Sequence, residues 1–263
     1  MPRNTPTKIF FGKGQISVLK NIINRKHKIL FLYGGGSIKS NGLYKEIIDN
    51  LIDYDMVEFS GIEANPEYET CLKAIEVMKD KKLDFILAVG GGSVIDAAKF
   101  IAVATKYKGD YWDDIIEKRV EITNAISLGT VLTIPATGSE MNGGCIISRR
   151  GLNKKRGFIS DKAFPLFSIL DPTVTYSLPS RQIANGVIDA FSHVMEQYLT
   201  FDQNTPLQDR FSEGILSTLM EEGKKVIHEP NNYNCTFDVL GHYSIEKNNS
   251  ATKYISLLIS VQY

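Results

Sequence analysis

Two residues in the C-terminal third of the sequence could together bind a metal ion. Asp189 and His193 lie four positions apart in NGVIDAFSHVMEQYL, and a helix places residues at that spacing on one face. A carboxylate and an imidazole can both ligate a divalent ion. The surrounding residues are apolar, so a buried aspartate there is costly unless it is paired or metal-bound. A simple Asp–His hydrogen bond on a helix surface would also explain the pair.

Two glycine-rich turns could bind an anion. They occur in YGGGSIKS (33–40) and VGGGSVIDAAKF (89–100), each directly after an apolar run. A strand that ends in glycines and opens into a helix presents free N–H groups at the positive end of the helix dipole. Two such turns favour a ligand with several phosphates, or with a phosphate and a sugar. The GxGxxG spacing is absent, and Ser93 with Asp96 also fits a helix-capping pair.

The first turn favours one nucleotide over another. An NAD site usually holds an acidic side chain against the ribose 2′-hydroxyl, whereas an NADP site lacks it and often has a cation. No acid lies within Gly34–Ser37, and Lys39 follows two residues later. We therefore predict NADP(H), although Lys39 could equally be a solvated helix residue.

The elements that must position these residues alternate between strand and helix. Near-continuous apolar runs at 26–34, 83–90 and 125–137 are typical of strands buried on both faces. Residues 42–53 and 66–80 have apolar residues at helical spacing. The alternation predicts an α/β fold with a doubly wound domain.

The character of the sequence changes near residue 175. Residues 181–200 and 206–229 both have a helical pattern, which fails from about Tyr233. We predict a dinucleotide-binding domain at 1–175, the start of an all-helical, metal-binding domain at 176–232, and an aberrant tail at 233–263. The helical domain is expected to be incomplete.

Composition excludes several classes of protein. The 263 residues are 43% apolar and 23% charged, with a net charge of zero. This balance argues against a nucleic-acid or anionic-membrane surface. The three scattered cysteines, Cys71, Cys145 and Cys235, are typical of reduced thiols. No signal peptide or membrane-length apolar run is present, so we expect a soluble, cytoplasmic protein.

Four motifs in order resemble the iron-containing, or group III, alcohol dehydrogenases, especially their NADPH-dependent butanol dehydrogenase and aldehyde reductase branch. They are GGGSVIDAAKF, LTIPATGSEMN, SILDPTVTYSLP and NGVIDAFSHVMEQYLT. The likeness runs from about residue 4 to about residue 232. It implies a Rossmann-like N-terminal domain, a helical C-terminal domain, and a cleft between them that holds NADP(H) and a divalent metal, Fe²⁺ or Zn²⁺. It also implies a small alcohol or aldehyde as substrate and a homo-oligomer in the full-length family.

The resemblance also implies a role for individual residues. Asp96 would lie near the nicotinamide end of the cofactor and is the one residue assigned to catalysis. Asp189 and His193 would be the first two metal ligands. By the same resemblance, the other cofactor-binding residues would be Gly36 and Ser37 at the adenosine ribose and its 2′-phosphate, Gly91, Gly92 and Ser93 at the pyrophosphate, Thr133, Thr137, Ser139 and Asn142 along the cleft, Lys155 at a ribose, and Tyr176 packing beside the cofactor. Lys39, which the first turn itself suggests, completes the predicted set. The metal would act as a Lewis acid during hydride transfer.

The resemblance weakens toward the end of the sequence. The family's two further ligands are histidines that would fall at or beyond residue 263, and neither His228 nor His242 replaces them. One codon set for DVLGHYSIEKNNSA, read one base later, encodes MFWAITALKKIIQP, which has a helical period. We therefore predict a shift of reading frame between about 233 and 238, a truncated product, an aggregation-prone helical part and weak or no activity. The alternative function is a non-catalytic NADP-binding remnant.

Overall fold

A computed structural model describes residues 6–135, 137–199, 204–236 and Val239. Its centre is a six-stranded parallel sheet with strand order β1-β8-β5-β4-β2-β3, beside a β6–β7 antiparallel hairpin. The strands are β1 (Lys8–Phe11), β2 (Lys28–Tyr33), β3 (Asp55–Phe59), β4 (Phe85–Gly90), β5 (Ser127–Leu132), β6 (Gly144–Arg149), β7 (Lys154–Ile159) and β8 (Phe167–Leu170). The helices are α1 (Leu19–Ile22), α2 (Ser37–Ser40), α3 (Leu43–Asn50), α4 (Tyr68–Asp80), α5 (Gly92–Lys106), α6 (Ser180–Tyr198) and α7 (Pro206–His228), with a π-helical stretch at Tyr111–Glu117.

Helices cover both faces of the sheet, which confirms the α/β prediction. In β2, Leu30 and Leu32 pack with α4 and α5, while Ile29 and Phe31 pack with α1 and α3. Successive side chains of a strand point to opposite faces. A strand covered on both faces must therefore be apolar along its covered length, as β4 and the part of β2 after Lys28 are.

The order of the strands creates a switch point between β2 and β4. From β2 the chain moves outward to β3 at the edge and then returns to place β4 on the other side of β2. Ligands of doubly wound sheets bind at the carboxyl ends of the strands where the direction reverses. Both glycine-rich turns begin there, because one follows β2 and the other is formed by the end of β4 and the start of α5.

The strands that the sequence analysis found are the central ones. The predicted runs at 26–34, 83–90 and 125–137 contain β2, β4 and β5. The last prediction was too long, because β5 ends at Leu132, Thr133 and Ile134 form a bend and Pro135 follows, and proline has no N–H to donate to a sheet.

The long helices agree closely with their predicted ranges. α6 begins at Ser180 and α7 ends at His228. Ala190 and Val194 of α6 are buried against Ile215 and Leu219 of α7. The last strand ends at Leu170 and α6 begins ten residues later, and the domain boundary near residue 175 stays a prediction.

Residues 233–236 continue as a helical turn. Cys235 and Val239, four apart, are buried against Val226, which explains why helical backbone extends past Tyr233. The rest of the predicted tail, including His242, lies outside the described residues. No helix formed by residues 6–135, 137–199 or 204–236 is both long and apolar enough to cross a membrane.

Candidate functional site

The two glycine-rich turns lie side by side. Tyr33 and Val89, the residues just before them, are partners across the β2–β4 ladder. A Cβ added to Gly34 would lie 3.6 Å from Val94 of α5, so the first turn contacts the helix that follows the second. Gly36 has φ +104°, a conformation that favours glycine. The turns are therefore placed to contact one ligand.

The glycines of the second turn are required first by packing within the protein. A Cβ on Gly90 would lie 2.5 Å from Val94, and one on Gly92 would lie 2.1 Å from Thr137 Oγ1. In the first turn, by contrast, a Cβ on Gly35 or Gly36 would meet nothing within 4 Å. Packing therefore explains the glycines of the second turn, whereas room for a ligand would explain those of the first.

The capping pair that Ser93 and Asp96 could form is absent, so that interpretation of the turn was wrong. The N-cap of α5 is Gly91, and it has no side-chain cap. Ser93 instead donates its hydroxyl hydrogen to the carbonyl oxygen of Ala64. The Ser93 hydroxyl is therefore committed. The N–H groups of Val94 and Ile95 donate to Gly91 O at 3.1 and 3.2 Å, so Gly92 and Ser93 precede the hydrogen-bonded turns of α5.

Asp96 joins the second turn to the segment after β5. One carboxylate oxygen accepts from Ser139 Oγ at 2.6 Å, and the other accepts from the backbone N–H of Ile146 at 3.0 Å. Burial raises the pKa of Asp96, while the neighbouring Lys99 and these two hydrogen bonds oppose the shift. Asp96 lines a cavity of about 560 Å³. Thr137, Ser139 and Asn142, three of the predicted cofactor-lining residues, line the same cavity.

Lys39 is not a free cation. Its Nζ lies 3.0 Å from Glu58 Oε1 and 4.7 Å from the centre of the Tyr44 ring. Glu58 also accepts hydrogen bonds from the Tyr33 and Tyr44 hydroxyls. Contacts with Tyr33 and Glu58 raise the pKa of Lys39. An acid therefore does lie beside Lys39. It comes from β3 and not from the glycine-rich turn that precedes Lys39.

The remaining predicted residues border the same region. Thr133, just after β5, donates its backbone N–H to Gly90 O at 3.1 Å. Lys155 Nζ donates to Asn65 Oδ1 at 2.8 Å, and its charge lowers the pKa of Asp96. Tyr176 follows the short helical turn Pro172–Thr175, and partial burial raises its pKa.

The candidate metal ligands lie on α6 as predicted. The ring nitrogen Nδ1 of His193 is 2.7 Å from the Asp189 carbonyl oxygen and 3.7 Å from Asp189 Oδ1. When Nδ1 donates to a carbonyl, Nε2 keeps its lone pair, which is the usual arrangement of a metal-bound histidine. The pair therefore fits as part of a metal site. Among the described residues, however, no group of three or more His, Cys, Asp or Glu is placed to hold an ion.

The stripe of α6 that carries this pair begins beside the segment that follows β5. Gln182 and Gly186 line a small cavity together with Ile134 and Pro135, and helical spacing continues their stripe through Asp189 and His193. Ile134 also covers Gly91, since a Cβ there would lie 3.2 Å from it. Ile134 thus contacts the second glycine-rich turn and also lines the cavity that Gln182 and Gly186 of α6 border.

Sequence reasoning missed two charged residues in this region, Lys99 and Glu58. Lys99 is a signal in itself, because it is the one charged residue in AAKFIAVAT (97–105). Glu58 had no comparable signal, since only the pairing of β2 with β3 brings it to Lys39.

Comparison with known proteins gives matches along most of the chain. The model of the iron-containing alcohol dehydrogenase family matches residues 6–172, and the C-terminal model of the same family matches residues 183–241. The NADPH-dependent aldehyde reductase YqhD of Escherichia coli is 48% identical over 90% of this chain and 62% of its own length. A probable NADH-dependent butanol dehydrogenase of Bacillus subtilis is 44% identical over 87% of this chain and 59% of its own length.

Solved structures are similar over a comparable extent. The crystal structure of E. coli YqhD superposes with a TM-score of 0.88 at 47% identity and covers 92% of this chain and 62% of its own. The NADH-dependent butanol dehydrogenase A of Thermotoga maritima gives a TM-score of 0.89 at 37% identity, over 97% of this chain and 64% of its own. The chain thus spans about three fifths of the length of the relatives that it matches.

Proposed function

Because the chain belongs to the iron-containing alcohol dehydrogenase family, we propose that it binds NADP(H) and serves hydride transfer between that cofactor and a small alcohol or aldehyde. The observation that carries the proposal is the pairing of β2 with β4, which brings both glycine-rich turns to the switch point beside Asp96. The names of the relatives, an NADPH-dependent aldehyde reductase and NADH-dependent butanol dehydrogenases, support the same class of reaction.

Backbone groups would bind the phosphates. The N–H groups of Gly92 and Ser93 begin the 15-residue helix α5, so its positive end favours the pyrophosphate. The Ser93 hydroxyl donates elsewhere and would contribute little. Gly36 and Ser37 would contact the adenosine ribose with its 2′-phosphate, and Lys39 would reach that phosphate only by leaving Glu58.

The nicotinamide would lie toward Asp96. Thr133, Thr137, Ser139 and Asn142 would line this part of the cleft, Lys155 would bind a ribose hydroxyl, and Tyr176 would pack against the cofactor. An acid beside the pyrophosphate would repel it, so a position near the nicotinamide, which is neutral in NADPH and cationic in NADP⁺, suits Asp96. The hydrogen bonds from Ser139 and Ile146 keep its carboxylate in one orientation.

The metal would bind on the α6 side of the cleft. Asp189 and His193 would supply two ligands, and a bound Fe²⁺ or Zn²⁺ would polarise the substrate oxygen as a Lewis acid while the nicotinamide supplies hydride. Since the described residues provide no third ligand, further ligands would have to come from elsewhere.

A binding measurement and a turnover measurement test the proposal. NADPH fluorescence should change on addition of the purified chain, and any reduction of butanal should be weak and should depend on supplied Fe²⁺ or Zn²⁺. The Asp55→Asn variant, whose changed residue lies on β3 and remote from the turns, is the control and should bind NADPH as the original chain does. Absence of NADPH binding would refute the proposal.

A non-catalytic NADP-binding remnant is the second candidate function, and the two-ligand metal site favours it. Nucleotide binding without metal-dependent turnover would support this alternative. The homo-oligomer and the cytoplasmic location stay predictions.

A further inference from the structure

Lys99 is a buried cation inside an apolar helix. It is 0% exposed, and Ala97, Ala98, Phe100 and Ile101 around it in α5 are also buried. Removing an ammonium group from water is costly unless the protein replaces its hydration. A lysine at this position therefore requires a set of acceptors built to hold it.

That set of acceptors comes from one short segment. Lys99 Nζ donates to Ser139 Oγ at 2.8 Å, to Asn142 Oδ1 at 3.0 Å and to Gly144 O at 2.7 Å. An ammonium has three N–H donors, so all of them are used. The segment 139–144 carries Ser139 and Asn142, two of the residues predicted to line the cofactor cleft.

The network continues from Lys99 to Asp96. Ser139 accepts from Lys99 and donates its own hydrogen to Asp96 Oδ1 at 2.6 Å. Asn142 is fixed in the same way, because its Oδ1 accepts from Lys99 and from the N–H of Gly144 while its Nδ2 donates to Gly138 O at 2.8 Å. The Lys99 ammonium therefore fixes the orientation of both the Ser139 and the Asn142 side chains.

We propose that Lys99 is a positioning residue of the cofactor cleft, whose buried ammonium holds Ser139 and Asn142 in place and, through the Ser139 hydroxyl, orients the Asp96 carboxylate at the cavity. This inference rests on the proposed function, since it concerns the site that would bind NADP(H). Lys99 itself does not line the cavity.

The surroundings of Lys99 bring its loss of a proton into a pH range that a binding experiment can cover. Burial lowers the pKa of Lys99 to about 8, while Asp96, Cys145 and Glu140 oppose the shift. Burial also raises the pKa of the Cys145 thiol well above its usual value, so that thiol stays protonated as Lys99 titrates. Lys155 acts on Asp96 from β7. NADPH binding should therefore weaken as Lys99 loses its proton.

The test compares NADPH affinity, measured by fluorescence, in the whole chain and two variants. Lys99→Met should weaken binding about tenfold or more, because hydrogen bonds to a charged donor are lost. Lys106→Met, an exposed lysine on the same helix, is the control and should stay within about twofold of the original chain.

The pH profile separates positioning from a purely structural role. Affinity of the original chain should fall between about pH 7 and about pH 9.5, and the variant without Lys99 should lose this dependence. A flat profile in the original chain overturns the inference even if Lys99→Met fails to fold. Equal affinity of Lys99→Met and the original chain also overturns it. No NADPH binding by the original chain would instead refute the proposed function.

Discussion

At the scale of single residues, the glycines of the two turns have different reasons for being glycine. At Gly92 an added Cβ would lie 2.1 Å from Thr137 Oγ1, whereas at Gly35 nothing lies within 4 Å. We expect Gly92→Ala to lower the free energy of unfolding by about 1–3 kcal/mol. Gly35→Ala, the matched control, should change it by less than about 0.5 kcal/mol. Urea unfolding measures both, and equal effects would contradict the packing argument.

Glu58 is the residue that should govern the choice between the two nicotinamide cofactors. Its carboxylate holds Lys39 Nζ at 3.0 Å and would repel a 2′-phosphate nearby. We expect Glu58→Gln to raise the affinity for NADPH relative to NADH by about threefold to tenfold, because Lys39 becomes available for a charge-assisted hydrogen bond. Asp55→Asn, at the other end of β3, is the control. An unchanged ratio of dissociation constants would show that Lys39 does not reach the 2′-position.

At the scale of elements, what the sequence could predict depended on burial. β2 and β4 are buried at nearly every position, so their apolar runs are unmistakable. β3 lies at the sheet edge and is partly exposed, which removes the continuous apolar run. β1 and β8 have four residues each, too few for a period to emerge. Their identity as strands comes from pairing with distant neighbours, which local sequence does not encode.

Two adjacent residues of α7 should respond differently when they are replaced by alanine. Leu219 is 1% exposed and packs with Ala190 and Val194, whereas Met220 is 53% exposed. Leu219→Ala should destabilise the pair by about 2–4 kcal/mol through the lost contacts and the cavity left behind. Met220→Ala should cost less than about 0.5 kcal/mol. Amide hydrogen exchange within α6 and α7 measures this local stability, and similar exchange in both variants would argue against a packed helical pair.

At the scale of the whole molecule, the candidate site is assembled by topology. The two turns are more than 50 residues apart in sequence and meet only because β4 returns to the side of β2. Their glycine content was readable from the sequence, as was the helical spacing of Asp189 and His193. The network of Lys99 with Ser139 and Asn142 was not, because a long-range contact between α5 and the segment after β5 leaves no local pattern.

The metal site gives the prediction that depends most on the whole chain. Asp189 and His193 supply two ligands, whereas three or four protein ligands hold a divalent ion firmly. We expect the purified chain to bind NADPH yet to retain well under one equivalent of Fe²⁺ or Zn²⁺ after dialysis, as measured by elemental analysis. His193→Ala should abolish any weak uptake, and His228→Ala, at the end of α7, should leave it unchanged. Stoichiometric retention would contradict this expectation, since it requires ligands beyond those that the described residues bring together. Because the nucleotide would bind at the switch point and the metal on α6, loss of metal should leave NADPH affinity intact.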